Sequence, residues 1–141
     1  MYTAVDLSKY IVNKCVADGH PISNLQLQKI LYYIQVEFLK QGKTAFTDQI
    51  EAWQFGPVVP NAYYYFCGFG AMRITEQYDG AAQPLAEDID SIDNIVQEKS
   101  TMNPWQVVAD THRPGGAWES IYRDGEGNHQ VIPLAVMRKL G

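Results

Sequence analysis

The chain has 141 residues, a size at which one core typically buries roughly 68–70% of the unfolded surface, so a single compact domain over residues 1–141 is expected. Apolar residues make up 46% and charged residues 19%, which fits a globular protein, and no stretch approaches the ~18 uncharged apolar residues of a membrane span. The net charge is −5 with the cations scattered singly, which disfavours unaided binding to nucleic acid or to an anionic membrane.

The start, Met-Tyr-Thr-Ala-Val-Asp, has neither a basic leader nor a hydrophobic signal core, and a cytoplasmic location is the expectation. Leu7, Ile11 and Cys15, with Val12 and Val16 beside them and Asp6, Lys9 and Asn13 opposite, predict an amphipathic helix over Val5–Ala17. Asp18-Gly19-His20-Pro21 ends it.

Ser23 and Gln26 form a capping-box pattern for a second helix running to about Gln41. Leu27, Ile30, Leu31, Ile34 and Phe38 occupy one face, and Leu25, Tyr32, Val36 and Leu39 another about 150° away. Such a helix should run through the middle of the fold, with Gln26, Lys29, Tyr33, Glu37 and Lys40 as its polar stripe. Gln28 and Gln35 fall between the apolar faces, where an unpaired amide would cost on the order of 1–3 kcal/mol, so both are expected to be hydrogen-bonded in the core.

The run Ile50-Glu-Ala-Trp-Gln-Phe-Gly-Pro-Val-Val-Pro-Asn-Ala-Tyr63 predicts a strand over Ile50–Phe55, a corner at Gly56-Pro57 and a helix opening at Pro60. That helix runs to about Cys67 and carries Tyr63, Tyr64 and Tyr65. A looser stretch through Pro84 follows, with Met72–Tyr78 as a candidate extended segment. Leu85, Ile89, Ile92 and Val96 then predict a helix to Lys99, its acidic outer face including Glu87, Asp88 and Asp90.

Asn103-Pro104 starts another helix by the cap-plus-N1 rule, with Trp105, Val108 and His112 on one side. Trp118–Tyr122 is a short amphipathic piece, Asp124–Asn128 a polar turn, Gln130–Ile132 a strand and Pro133–Leu140 a last helix. The fold class is therefore mainly α, with a two-stranded ribbon of Ile50–Phe55 paired with Gln130–Ile132.

Reactive chemistry finds little support in these residues. Cys15 and Cys67 lie on separate predicted helices without partners at metal-ligand spacing, and both are expected as buried free thiols. Asp110 lies two residues from His112 and so points about 200° away on a helix, which makes His112 a structural core histidine. His20 and His129 fall in turns and read as surface residues. No catalytic motif, nucleotide-binding glycine pattern or metal clip occurs, so no enzyme activity, cofactor or metal is expected.

The three tyrosines span about 200° of helix circumference, and one buried face cannot hide them all. Trp53, Phe55, Tyr63, Tyr64, Tyr65 and Phe69 together have the composition of an interface centre, which makes them the candidate partner-binding residues. Core packing with one hydroxyl reaching water is the plain alternative at this point.

The string Ser23 to Gln35, Ser-Asn-Leu-Gln-Leu-Gln-Lys-Ile-Leu-Tyr-Tyr-Ile-Gln, followed by Ile50–Tyr63, resembles the Panacea (SocA-like) antitoxin family, also called GepA-like phage-associated proteins. Thr111-His112 with Trp118 soon after, and the strand-to-helix close over Val131–Leu140, resemble it too. Ile30 stands where leucine is usual, and Pro114-Gly115-Gly116 widens the gap between Thr111-His112 and Trp118. The resemblance implies a mainly helical domain, within a toxin-antitoxin or prophage locus, that neutralises a cognate toxin by direct binding. One branch of the family delivers its toxin to an ATP-dependent protease, which adds that protease as a second implied partner. Homodimerisation through the aromatic patch stays open.

Overall fold

The computed structural model describes residues 1–141, with helices α1 (Ala4–Ala17), α2 (Asn24–Lys40), α3 (Pro60–Phe66), α4 (Ala86–Ser100), α5 (Pro104–Thr111), α6 (Ala117–Tyr122) and α7 (Leu134–Leu140). Strands β1 (Glu51–Trp53), β2 (Gly56–Val58) and β3 (Gln130–Val131) form an antiparallel sheet in the order β2-β1-β3. The protein is thus mainly helical with a small sheet.

Local signals set the helix ends. Thr3 caps α1 through the Asp6 N–H, and Ser23 with Gln26 completes the capping box of α2 in both directions. Asn103 accepts from the Trp105 N–H at 2.9 Å, with Pro104 as the first helical residue of α5.

Helix α2 is the axis of the fold: α1, α3, α4, α5, α7 and β2 all pack on it. Its apolar residues Leu27, Ile30, Leu31, Ile34 and Phe38 are buried, and so are Tyr32, Val36 and Leu39 on the second face. The polar stripe is narrower than the wheel predicts, because Gln26 and Lys29 are buried as well and Lys29 is only 1% exposed. The reason is tertiary: the β1–β2 hairpin lies over this side of α2.

The amides between the two faces are paired. Gln28 donates to Asn24 Oδ1 at 2.9 Å and accepts from the Val59 N–H at 2.9 Å. Gln35 donates to the Phe46 carbonyl at 2.7 Å and accepts from the Ala45 N–H at 2.8 Å. Each glutamine therefore splices an irregular backbone segment onto the central helix, which satisfies groups that would otherwise be orphaned.

The sheet corrects the two-stranded ribbon. β1 pairs with β3, Glu51 opposite Val131 and Ala52 opposite Gln130, but Gly56-Pro57 does not end the pairing. It turns back as β2, with Trp53 opposite Gly56 and Glu51 opposite Val58. Two features permit this. Gly56 takes φ +113°, a backbone conformation that side-chain-bearing residues rarely adopt, and β2 is an edge strand, where the missing N–H of Pro57 is tolerated.

Three further expectations change. Cys15 is buried but Cys67 is exposed, because it falls past the end of α3 in a 3₁₀ turn over Cys67–Phe69. Leu85 precedes α4 and is exposed rather than inward-facing. Asp88, placed on the acidic outer face, is buried and accepts from the Tyr2 hydroxyl at 2.6 Å and from Lys43. Burial would raise the Asp88 carboxyl, but these two donors outweigh it and hold it below its usual range.

Two substitutions probe this arrangement. A Cβ at position 56 would sit 2.7 Å from Thr111 Oγ1 and 2.9 Å from Lys29 Cε, so Gly56→Ala should lower unfolding free energy by about 1–3 kcal/mol in denaturant titration. Gln35→Leu strands the Phe46 carbonyl and the Ala45 N–H, and the same assay should show a loss of about 2–3 kcal/mol.

Candidate functional site

In α3, Ala62 and Phe66 lie four apart and are buried, which points the helix face between them at the core. Tyr64 is then directed outward, and Tyr63 and Tyr65 flank it on opposite sides. Tyr64 is 61% exposed and Tyr65 51% exposed, while Tyr63 is half-buried.

Trp53 gathers one flank. Its ring meets Tyr63 edge-on at 4.9 Å, approaches Tyr64 at 6.2 Å, and stacks on His129 at 4.4 Å. Its Nε1 donates to Glu51 Oε1 at 2.9 Å, which holds the indole in place. Phe55 projects from the hairpin turn and meets Trp105 edge-on at 5.6 Å, both rings being exposed. Tyr65 faces elsewhere, towards Tyr78 with Lys9 over its ring, and Phe69 packs partly against the core.

Of the six aromatic candidates, the fold therefore brings Trp53, Tyr63 and Tyr64 into one cluster, adds Phe55 at its edge, and separates Tyr65 and Phe69. Trp105 and His129 join the surface without having been singled out for it. For Trp105 a signal existed: Val107, Val108 and Thr111 mark the buried arc of α5, and Trp105 lies about 60° beyond its edge. Trp105 is accordingly 59% exposed, although Val108 on the same side of the helix is buried. His129 could not be found this way, because its stacking depends on β3 returning beside β1.

Between these rings lies a cleft of about 510 Å³, lined among others by Asn24, Gln28, Lys29, Trp53, Phe55, Val58, Tyr63, Trp105 and His129. Lys29 is the one charged residue in its lining. The ammonium donates to the Pro57 carbonyl at 3.3 Å and lies beneath the hairpin, where Gly56 has no Cβ to displace it. Burial pushes the Lys29 ammonium down to about 7.

His112 caps α5 on the far side of that lysine. Its ring stacks on Trp118 at 3.7 Å and 3°, and Trp118 stacks in turn on Tyr122 at 4.5 Å. Trp118 Nε1 donates to the Trp53 carbonyl at 2.7 Å, tying this ladder to β1. The buried Nε2 of His112 has no hydrogen-bond partner, and burial followed by the Lys29 charge lowers its proton affinity. Asp110 accepts from Gln106 and Glu119 from the Gly115 N–H, so neither carboxylate is engaged with His112. No group of three or more His, Cys, Asp or Glu converges at a metal-ligating position. No helix is long and apolar enough to cross a membrane.

A helical domain organised on one buried helix, with an aromatic surface, is the class that these features describe. The family described as "Antitoxin SocA-like, Panacea domain" matches residues 27–119, and the chain belongs to it. It is also 30% identical over 146 residues to the antitoxin SocA of Caulobacter vibrioides, an alignment covering 95% of this chain and 77% of that protein. No solved structure matches the chain.

The cleft lysine has a measurable signature in stability. Unfolded, Lys29 keeps its proton up to about 10.5, and folded only to about 7, so between those values unfolding takes up a proton and stability rises with pH. Lys29→Met should raise unfolding free energy at pH 7 by on the order of 1–3 kcal/mol. It should also flatten the rise that the parent shows between pH 7 and 9. Above that range Cys15, whose thiol burial pushes from 9.0 up to about 11, contributes the opposite slope.

Proposed function

We propose that the protein is an antitoxin that neutralises a cognate toxin protein by direct contact and catalyses no reaction. Membership of the SocA-like antitoxin family supports the role, and the similarity to an antitoxin of Caulobacter vibrioides extends over nearly the whole chain. The observation that carries the contact reading is the Trp53–Tyr63–Tyr64 cluster. Packed edge-to-face, these rings present a large, rigid and partly exposed surface, the arrangement that concentrates binding energy at protein interfaces.

Rigidity comes from beneath. Trp53 is braced by Glu51 and His129, and the sheet that carries it is tied to α6 by the bond from Trp118 to the Trp53 carbonyl. Little side-chain entropy then remains to be lost on association.

Co-expression with the product of the adjacent gene should restore growth to cells that this product poisons, and the two proteins should co-purify. Tyr64→Ala should weaken that complex by about 1–2 kcal/mol in calorimetric titration while leaving the melting temperature within a degree or two of the parent. A neighbouring product that is harmless when expressed alone and does not bind would refute the antitoxin reading. Undiminished affinity in Tyr64→Ala would instead move the contact off this face.

A further inference from the structure

Lys29 is 1% exposed, and its ammonium has a single partner within hydrogen-bond reach, the Pro57 carbonyl at 3.3 Å, although three N–H donors are available. None of the chain's ion pairs includes it: these are Lys14–Asp18, Lys43–Asp88 and Lys99–Glu98. The residues lining the cleft include no aspartate or glutamate. A buried cation without a counter-ion is a costly feature to retain in a core, and this one lines an aromatic-walled opening rather than a closed interior.

We propose that the cleft receives an acidic side chain of the toxin, an Asp or Glu beside an apolar residue, with the carboxylate paired to Lys29 and the apolar neighbour against Trp53, Phe55 and Trp105. The inference rests on the antitoxin reading and names the chemistry of its central contact. Charge complementarity selects the occupant: one unpaired cation at the buried end of the cleft calls for one anion. The volume of about 510 Å³ suits a few residues of a partner segment. A side chain fits better than a chain terminus. Termini are captured by nests of backbone N–H groups, whereas of the lining residues here the Gly70 N–H is bound to the Cys67 carbonyl, the Asn128 N–H to the Gly125 carbonyl and the His129 N–H to the Ala52 carbonyl.

The surrounding charges leave Lys29 available. On α4, Asp88 is held by Tyr2 and Lys43, and Asp93 by Tyr10. On α5, Asp110 is held by Gln106, and His112 at its end supplies no negative charge to Lys29, whose own charge lowers the proton affinity of that imidazole. His129 and Tyr63 line the cleft, Lys14 of α1 is paired with Asp18, and Arg138 and Lys139 of α7 carry the same sign as Lys29. With the free lysine losing its proton at about 7, a carboxylate that binds the charged form must draw a proton in above that pH.

The test is calorimetric titration of the cognate toxin against the parent, Lys29→Met and Trp105→Ala, with circular dichroism to confirm folding. Lys29→Met, melting at or above the parent temperature, should bind at least about 30-fold more weakly, and Trp105→Ala should weaken binding as well. Parent affinity should fall as pH rises from 7 to 9 and that of Lys29→Met should not. In a scan of the toxin, one Asp→Asn or Glu→Gln change should reproduce the loss against the unaltered antitoxin and add nothing to Lys29→Met. The scan needs no change to this protein and so decides the matter even if Lys29→Met misfolds. Undiminished affinity of a folded Lys29→Met overturns the proposal, as does a loss that follows amidation of the toxin's C-terminus instead. Self-association of the parent that Lys29→Met disperses would assign the cleft to a second copy of this chain and overturn it too. A parent that binds no toxin at all overturns the antitoxin reading itself, an outcome separable from the others.

Discussion

Burying the polar side chains of α2 obliges the rest of the chain to come to them. Asn24, Gln28, Lys29 and Gln35 lie on a helix enclosed on nearly every side, and each reaches a backbone group outside that helix: the Tyr63 carbonyl in α3, the Val59 N–H, the Pro57 carbonyl, and the Ala45–Phe46 stretch. An unpaired group at any of these positions would cost on the order of 1–3 kcal/mol. The contacts therefore anchor the loops and the edge strand as firmly as apolar packing anchors the helices.

The hairpin shows how the constraint becomes a surface. β2 is an edge strand, and its neighbourhood is covered by Lys29 and Gln28 rather than by another strand, which blunts the edge against pairing with a foreign chain. The same contacts hold Phe55 at the turn and Trp53 at the end of β1, so the aromatic face is positioned by the interior. The cost is concentrated in one residue. Lys29 supplies a backbone partner but sits in a setting where burial disfavours its charged form, and its charge in turn lowers the proton affinity of His112.

A short helix completes the surface by geometry alone. Once Ala62 and Phe66 face the core, consecutive tyrosines must fan outwards, and the separation of Tyr65 from the Trp53 cluster follows from the 100° step between neighbours. The exposed side chains of this face project away from α2.

Much of this was legible in the residues themselves. Ser23 with Gln26, Asn103-Pro104 and the four-residue spacing of Leu7, Ile11 and Cys15 specify helices through bonds and contacts that span a single turn, and the alternation at Ile50–Phe55 specifies a strand in the same local way. Whether Gly56-Pro57 ends that strand or returns along it, whether Lys29 and Asp88 meet water or the core, and which aromatic rings meet across the surface depend on segments far apart in the chain. The helical wheel assigned Lys29 to solvent because a wheel knows one helix. The hairpin that covers it begins more than twenty residues later, and only packing brings the two together.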